Sequence, residues 1–320
     1  MIAEPKFVAF GGGHGLAATL AALRSITKNL TAIVTVADNG GSSGRLRAEF
    51  DSLPPGDLRM ALAALCADDE WGRSWAELIQ YRFTSSGPLN GHAVGNLILA
   101  AFWDKDRDPI AGLDRVGELL KVVGRVLPMS REPLDIEGRF RTWEGTQVIR
   151  GQKEVALAKG VLENLALIPE TAQPTDAGIS AILAADYLTL GPGSWFSSVL
   201  PHLLLEKQRE AIHNSKAKRI LILNLPTDNP DDSDELSGST PIEHLEVIRR
   251  FDSEFKFDFA IADRSTVNNS QALKDLNALV IEMGGKIIVS DLAKGAGSKQ
   301  HDPEKLVLSF REILASEMIR

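Results

Sequence analysis

The sequence predicts a layered α/β protein, a Rossmann-like and mostly parallel sheet with helices on both faces. Three observations predict it. Short apolar runs alternate with helical periodicities along the chain. Those runs end repeatedly in glycine-rich loops. The 320 residues are 44% hydrophobic and 24% charged, the mix of a globule able to bury a sizeable core. A single domain over 1–320, with a small β-rich insertion at about 126–158, accounts for the length.

The first strand, Phe7–Phe10, runs into Gly11-Gly12-Gly13-His14-Gly15 and then a helix whose Leu16, Leu20 and Leu23 share one face. A second strand, Ala32–Val36, is rich in β-branched residues and opens into Ala37-Asp38-Asn39-Gly40-Gly41-Ser42-Ser43-Gly44. Pro54-Pro55-Gly56-Asp57 reads as a helix start, with Asp57 as N-cap of a helix over 58–65. Helical spacing continues over Trp75–Tyr81, Ala93–Trp103 and Leu113–Val122. Between Val126 and Val155 the period shortens, and Gly138, Gly145 and Gly151 punctuate charged strands; this is the predicted insertion. The α/β rhythm resumes with strands at Asp186–Leu190, Arg219–Asn224, Phe257–Ala262 and Lys286–Ser290, and a helix at Pro303–Ile319 ends the chain.

Composition excludes several classes of function. Thirty-five Lys and Arg stand against 43 Asp and Glu, a net charge of −8, which disfavours nucleic-acid binding through phosphate neutralisation. Cys66 is the only cysteine, so no intrachain disulfide forms and a reducing compartment fits. The N-terminus reaches glycine too early for the apolar core of a signal peptide. The most apolar run, Leu97–Trp103, is far shorter than the roughly 20 residues of a membrane span. The expected location is the cytoplasm, without membrane insertion.

Ligands of open parallel sheets bind beyond the carboxyl ends of the strands, where this chain keeps its glycines. In Gly11–Gly15 the backbone amides can approach an oxyanion, and the following helix offers its positive end. Gly13-His14-Gly15-Leu-Ala-Ala18 fits a dinucleotide pattern, with Asp38 about twenty residues on. A nicotinamide enzyme needs no second anion loop at that point, yet Asp38–Arg45 supplies hydroxyls, amides and a cation. A third loop, Gly191-Pro-Gly193-Ser194-Trp195-Phe196-Ser197, repeats the chemistry, with Trp195 and Phe196 either lining a base or sugar or simply packing in the core. Together the loops suit a diphosphate-bearing ligand lying across the strand ends.

Gly40–Gly44 also fits a nucleophile-elbow pattern around Ser42, but Asp38-Asn39 lengthens the loop beyond that tight turn. His92, in Gly91-His-Ala-Val-Gly-Asn96, precedes an apolar helix, where it caps, meets a ligand, takes part in acid–base chemistry or packs as a structural histidine. No paired His or Cys pattern supports zinc. Asp38 and Asp57 together are the candidate magnesium ligands beside phosphate, and Asp57 is compatible with capping as well. The run Asp228–Glu235 reads as a solvated acidic loop.

These stretches resemble the YvcK/CofD-like family, in its YvcK branch, the gluconeogenesis factors. The resemblance is carried by Gly11–Leu16, Thr35–Arg47, Pro54–Arg59, Gly91–Leu97 and Gly191–His202, in the family's order. It implies a Rossmann-like fold and a cytoplasmic protein needed for cell shape and wall synthesis on gluconeogenic carbon sources. It also implies a regulatory binder of UDP-sugars such as UDP-N-acetylglucosamine, with a partner enzyme in amino-sugar metabolism and no required cofactor. The ligand-binding residues it implies are Gly11, Gly12, Gly13, His14, Gly15, Asp38, Asn39, Gly40, Gly41, Ser42, Ser43, Arg45, Asp57, Arg59, His92, Asn96, Gly191, Gly193, Ser194, Trp195, Phe196 and Ser197. A homo-oligomer is compatible with this reading. His14, where many members carry Thr, and Trp195, where many carry Leu, resemble an actinobacterial subgroup. After Asn224 the match weakens, so contacts from Thr227, His244, Thr266 or His301 rest on less. The other branch, the 2-phospholactate transferases, implies a magnesium-dependent enzyme instead. Asp38 and Asp57 resemble its acidic pair, but Asn39 stands where those enzymes keep a second Asp.

Overall fold

The apolar runs from both halves of the chain join in one sheet. In the computed structural model, which describes residues 4–225, 240–267, 269–295 and 297–318, the order of elements is as follows. β1 (Phe7–Gly11), α1 (Gly13–Leu23), β2 (Leu30–Val34), α2 (Gly41–Phe50), α3 (Pro55–Leu65), α4 (Glu70–Gln80), α5 (Val94–Asp106), α6 (Pro109–Leu120) and β3 (Arg125–Pro128) form the first half. β4 (Asp135–Thr142), β5 (Gly145–Arg150), α7 (Gln152–Ala156) and β6 (Val161–Ile168) follow as the insertion. The second half is α8 (Asp176–Ala184), β7 (Tyr187–Leu190), α9 (Pro201–Leu204), α10 (Glu206–Asn214), β8 (Lys218–Ile222), α11 (Pro241–Phe251), β9 (Phe259–Asp263), α12 (Ser270–Glu282), β10 (Lys286–Ser290) and α13 (Pro303–Met318).

The main sheet has seven parallel strands in the order β10-β9-β8-β7-β1-β2-β3. β1 lies inside the sheet beside the central β7, and Phe7 pairs with Leu30 on one side and Tyr187 on the other. All five residues of β1 are buried, which explains its unbroken apolar run. From β1 the chain adds strands outward on one side, then returns and adds the remainder on the other. Because parallel crossovers are right-handed as a rule, this reversal of direction at β1 puts helices on both faces of the sheet. Leu16, Leu20 and Leu23 of α1 are buried together, and α1 packs against α3 and α13. Phe7 stacks on Tyr187 at 4.8 Å and meets Phe310 of α13 edge-on, joining the two ends of the chain in one core.

Three differences from the sequence reading bear on the site and the insertion. The insertion's own sheet is antiparallel, in the order β5-β4-β6, and spans Asp135–Ile168. Val126 and Leu127 belong to β3, the edge of the main sheet, because they continue the buried apolar surface beside β2. Asp57 is not an N-cap: α3 begins at Pro55 with Pro54 as its cap residue, so Asp57 falls inside the first turn. Thr227, Asp228–Glu235 and Ile319 lie outside the described residues. No helix among the described residues is long and apolar enough to cross a membrane.

Candidate functional site

A cleft of about 870 Å³ opens at the carboxyl end of the sheet, where the strand order reverses between β1 and β7. Its wall on the β1 side is Gly12, Gly13, His14 and Gly15. Its wall on the β7 side includes Pro192, Gly193, Ser194 and Ser197. The two loops touch because Gly15 has no side chain: a Cβ there would lie 2.1 Å from the Pro192 carbonyl oxygen. Asn224, at the end of β8, holds the second loop in place. Its Oδ1 accepts from the Gly193 amide and its Nδ2 donates to the Gly193 carbonyl, both at 2.9 Å. The N-termini of α1 and α2 begin at Gly12 and Gly40 with no capping side chain, so backbone amides form this end of the cleft.

The floor carries Asp38 and Asp57. Asp38 Oδ1 accepts from the Gly40 amide at 2.8 Å. Asp57 lies beneath Gly12, where a Cβ would sit 2.5 Å from its Oδ2 and 2.6 Å from the Thr35 hydroxyl. Thr35 donates to that oxygen at 3.4 Å, a long contact. Burial, and then the charge of Asp38, raise the Asp57 carboxyl to about 7, against hydrogen bonding from Gly13 and Thr35 that pulls it down. Among the described residues no group of three or more His, Cys, Asp or Glu could hold a metal ion. A magnesium ion here would meet two carboxylates and draw its remaining ligands from phosphate and water.

Behind the floor lies a second polar group that the cleft does not reach. Ser42 Oγ is 2.9 Å from His92 Nδ1, Asn96 Nδ2 donates to Ser42 Oγ at 2.9 Å, and Arg59 Nε donates to Asn96 Oδ1 at 2.9 Å. All four side chains are buried. Burial, then Arg45, push the His92 imidazole below its usual range, consistent with a neutral ring bonded to a hydroxyl. Ser43 Oγ accepts from the Gly56 amide at 3.0 Å and ties α2 to α3. Arg45 turns outward to the Pro88 and Asn90 carbonyls at 3.0 and 2.7 Å. Ser42, Ser43, Arg45, Arg59, His92 and Asn96 therefore support the loops from behind. Gly11 and Gly191 end β1 and follow β7 without facing the cleft, and Gly41 opens α2. Trp195 and Phe196 are buried in the core, Trp195 stacked on His244 with ring centroids 4.7 Å apart.

The opposite wall has no motif. His244, Lys294, Lys299, Gln300 and His301 line it, with Leu225 between. Burial drives both histidines down to about 4, so they face the cleft as neutral rings, and His301 Nε2 donates to the Leu223 carbonyl at 3.2 Å. Thr266 is absent from this wall; its hydroxyl donates to the Asp263 carbonyl. Sequence reasoning missed Lys294 and Lys299, and also Gln152 and Lys153 of α7, which close the cleft from the insertion. Lysines at loop tips carry no spacing that marks them as ligands.

A family model described as CofD, 2-phospho-L-lactate transferase, matches residues 7–293. The chain belongs to the CofD family. Within it, the chain falls in the gluconeogenesis-factor branch. It is 42% identical to a Mycobacterium tuberculosis protein named "Putative gluconeogenesis factor", over 97% of this chain and 91% of that one. It is 32% identical to the gluconeogenesis factor of Listeria monocytogenes, over 98% and 97% of the two chains. A crystal structure of a UPF0052 family member from Bacillus halodurans superposes with a TM-score of 0.81 at 31% identity, covering 95% of this chain and 98% of that one. The CofD-family fold is thus the seven-stranded parallel sheet with the small antiparallel sheet described above.

Proposed function

We propose that this CofD-family protein binds a UDP-sugar of the UDP-N-acetylglucosamine type and acts as a regulator rather than through turnover. One observation carries the reading: two glycine loops, from β1 and β7, meet across a cleft at the switch point of the sheet. In this reading the diphosphate lies on the amides of Gly12, Gly13, Gly193 and Ser194. Asp38 and the Asn39–Gly40 backbone hold ribose or sugar hydroxyls. Kinship with gluconeogenesis factors supports a role tied to growth on gluconeogenic carbon; in this proposal the protein acts in the cytoplasm on cell shape and wall synthesis, through a partner enzyme of amino-sugar metabolism. Such coupling requires that the ligand bind one of two states more tightly.

The family's transferase name supports a second reading, favoured by the half-buried pair Asp38 and Asp57 on the cleft floor. It is a magnesium-dependent transferase acting on a nucleotide-activated phosphate donor. Against it stands the position of Asn39, whose side chain faces the insertion rather than joining a third carboxylate to the pair. Isothermal titration with UDP-N-acetylglucosamine, with and without magnesium, followed by chromatography of the nucleotide, separates the two. Saturable binding with intact ligand is the expected result. Cleaved ligand selects the transferase, and absence of binding removes the UDP-sugar.

A further inference from the structure

A diphosphate in the cleft needs counter-charge, and neither arginine of the glycine-rich region supplies it. Arg45 is held by two outer carbonyls and Arg59 by the buried Asn96. The cations that line the cleft are lysines, and Lys153 comes from α7 of the insertion, with its side chain exposed. The insertion has a sheet of its own and meets the Asp38–Gly40 loop through one side chain. Asn39 Nδ2 donates to Glu154 Oε2 at 2.8 Å, and Asn39 Oδ1 accepts from the Lys153 amide at 3.4 Å. Gly151, before α7, has φ +110°, and a Cβ there would lie 2.1 Å from Glu154 Oε2 and 2.6 Å from Asn39 Nδ2. Only glycine leaves room for this clamp.

We propose that the insertion completes the anion site: Lys153 contacts the ligand's diphosphate, and Asn39, clamped to α7, is the positioning residue that sets Lys153 over the cleft. This rests on the reading of the cleft as a diphosphate site. It also gives Asn39 a role that its place in the glycine-rich loop does not disclose, since its amide faces the insertion at both ends. A lysine presented at the correct distance to phosphate forms a charge-assisted contact.

Titration of inorganic pyrophosphate, UDP-N-acetylglucosamine and uridine into wild type, Lys153→Met, Asn39→Ala, Glu154→Ala and Glu154→Gln tests this. Lys153→Met should weaken both anions about tenfold and leave uridine unchanged. Asn39→Ala and Glu154→Ala should weaken the anions about threefold, while Glu154→Gln, which keeps an acceptor for Asn39, restores them. Amide hydrogen exchange over 151–157 should quicken in Asn39→Ala but not in Lys153→Met. Wild-type affinity for both anions in Lys153→Met overturns the proposal, as does unchanged exchange in Asn39→Ala. Wild type that binds pyrophosphate but not the UDP-sugar removes the nucleotide reading alone, and the Lys153 effect on pyrophosphate still decides the inference. Binding of neither anion overturns both.

Discussion

Two polar groups lie side by side at the N-termini of α2 and α3, and they differ in how far the protein satisfies them. In the inner group Ser42, His92, Asn96 and Arg59 form a chain of bonds all at 2.9 Å, and burial pushes the His92 imidazole below its usual range. In the outer group Asp57 is half-buried beside another carboxylate; it takes the Gly13 amide, but its hydroxyl partner stands 3.4 Å away. The inner group stabilises the loops, because its four side chains are linked to one another by bonds made within the protein. The outer group is left short of partners beside an open cleft, the arrangement expected of a place that receives a ligand. Residue type does not separate the two; satisfaction does.

That contrast predicts a graded series of effects. The largest concerns pH. The Asp57 carboxyl is near 7 in the fold and near 3.8 when unfolded, so its burial costs nothing below about pH 4. As pH rises from 4 to 7 the unfolded state ionises first, and stability falls by up to about 4 kcal/mol. Denaturant titrations at a series of pH values should show this fall in wild type and a flatter profile in Asp57→Asn. Next, Arg59→Met strands the buried Asn96 Oδ1 and should cost about 3 kcal/mol at pH 7 by urea unfolding. Ser42→Ala leaves His92 and Asn96 without their shared hydroxyl and should cost about 2 kcal/mol by the same assay, with ligand affinity kept. Asp38→Asn is the smallest in stability, within about 0.5 kcal/mol, yet should weaken UDP-N-acetylglucosamine in calorimetry. Unfolding of Asp38→Asn, or unchanged affinity, would contradict its place on the ligand side.

The same distinction explains what the sequence disclosed. Strands β1, β2, β7, β8 and β9 were legible because interior parallel strands are buried on both faces and read as unbroken apolar runs, and the edge strand β10 was legible from its β-branched Ile287-Ile288-Val289. β3 was hidden, since a four-residue edge strand runs straight towards the insertion without a glycine between. The loops Gly12–Gly15 and Gly193–Ser194 were legible because close backbone approach demands glycine, as the 2.1 Å gap at Gly15 shows. Which polar side chains face the cleft was not legible: Ser42 and Asp38 lie in one loop, yet α2 turns Ser42 inward to His92. Lys153 in α7 and Lys294 in the loop after β10 are far apart in sequence with no mutual spacing, so only the fold brings them to one cleft.

The most direct test is a crystal structure of the protein soaked with UDP-N-acetylglucosamine. The diphosphate is predicted to lie between the amides of Gly12 and Gly13 and those of Gly193 and Ser194, with the Ser42–His92–Asn96–Arg59 chain undisturbed behind the floor. A ligand seated anywhere else on the molecule, or one that enters by displacing that buried chain, would contradict the account.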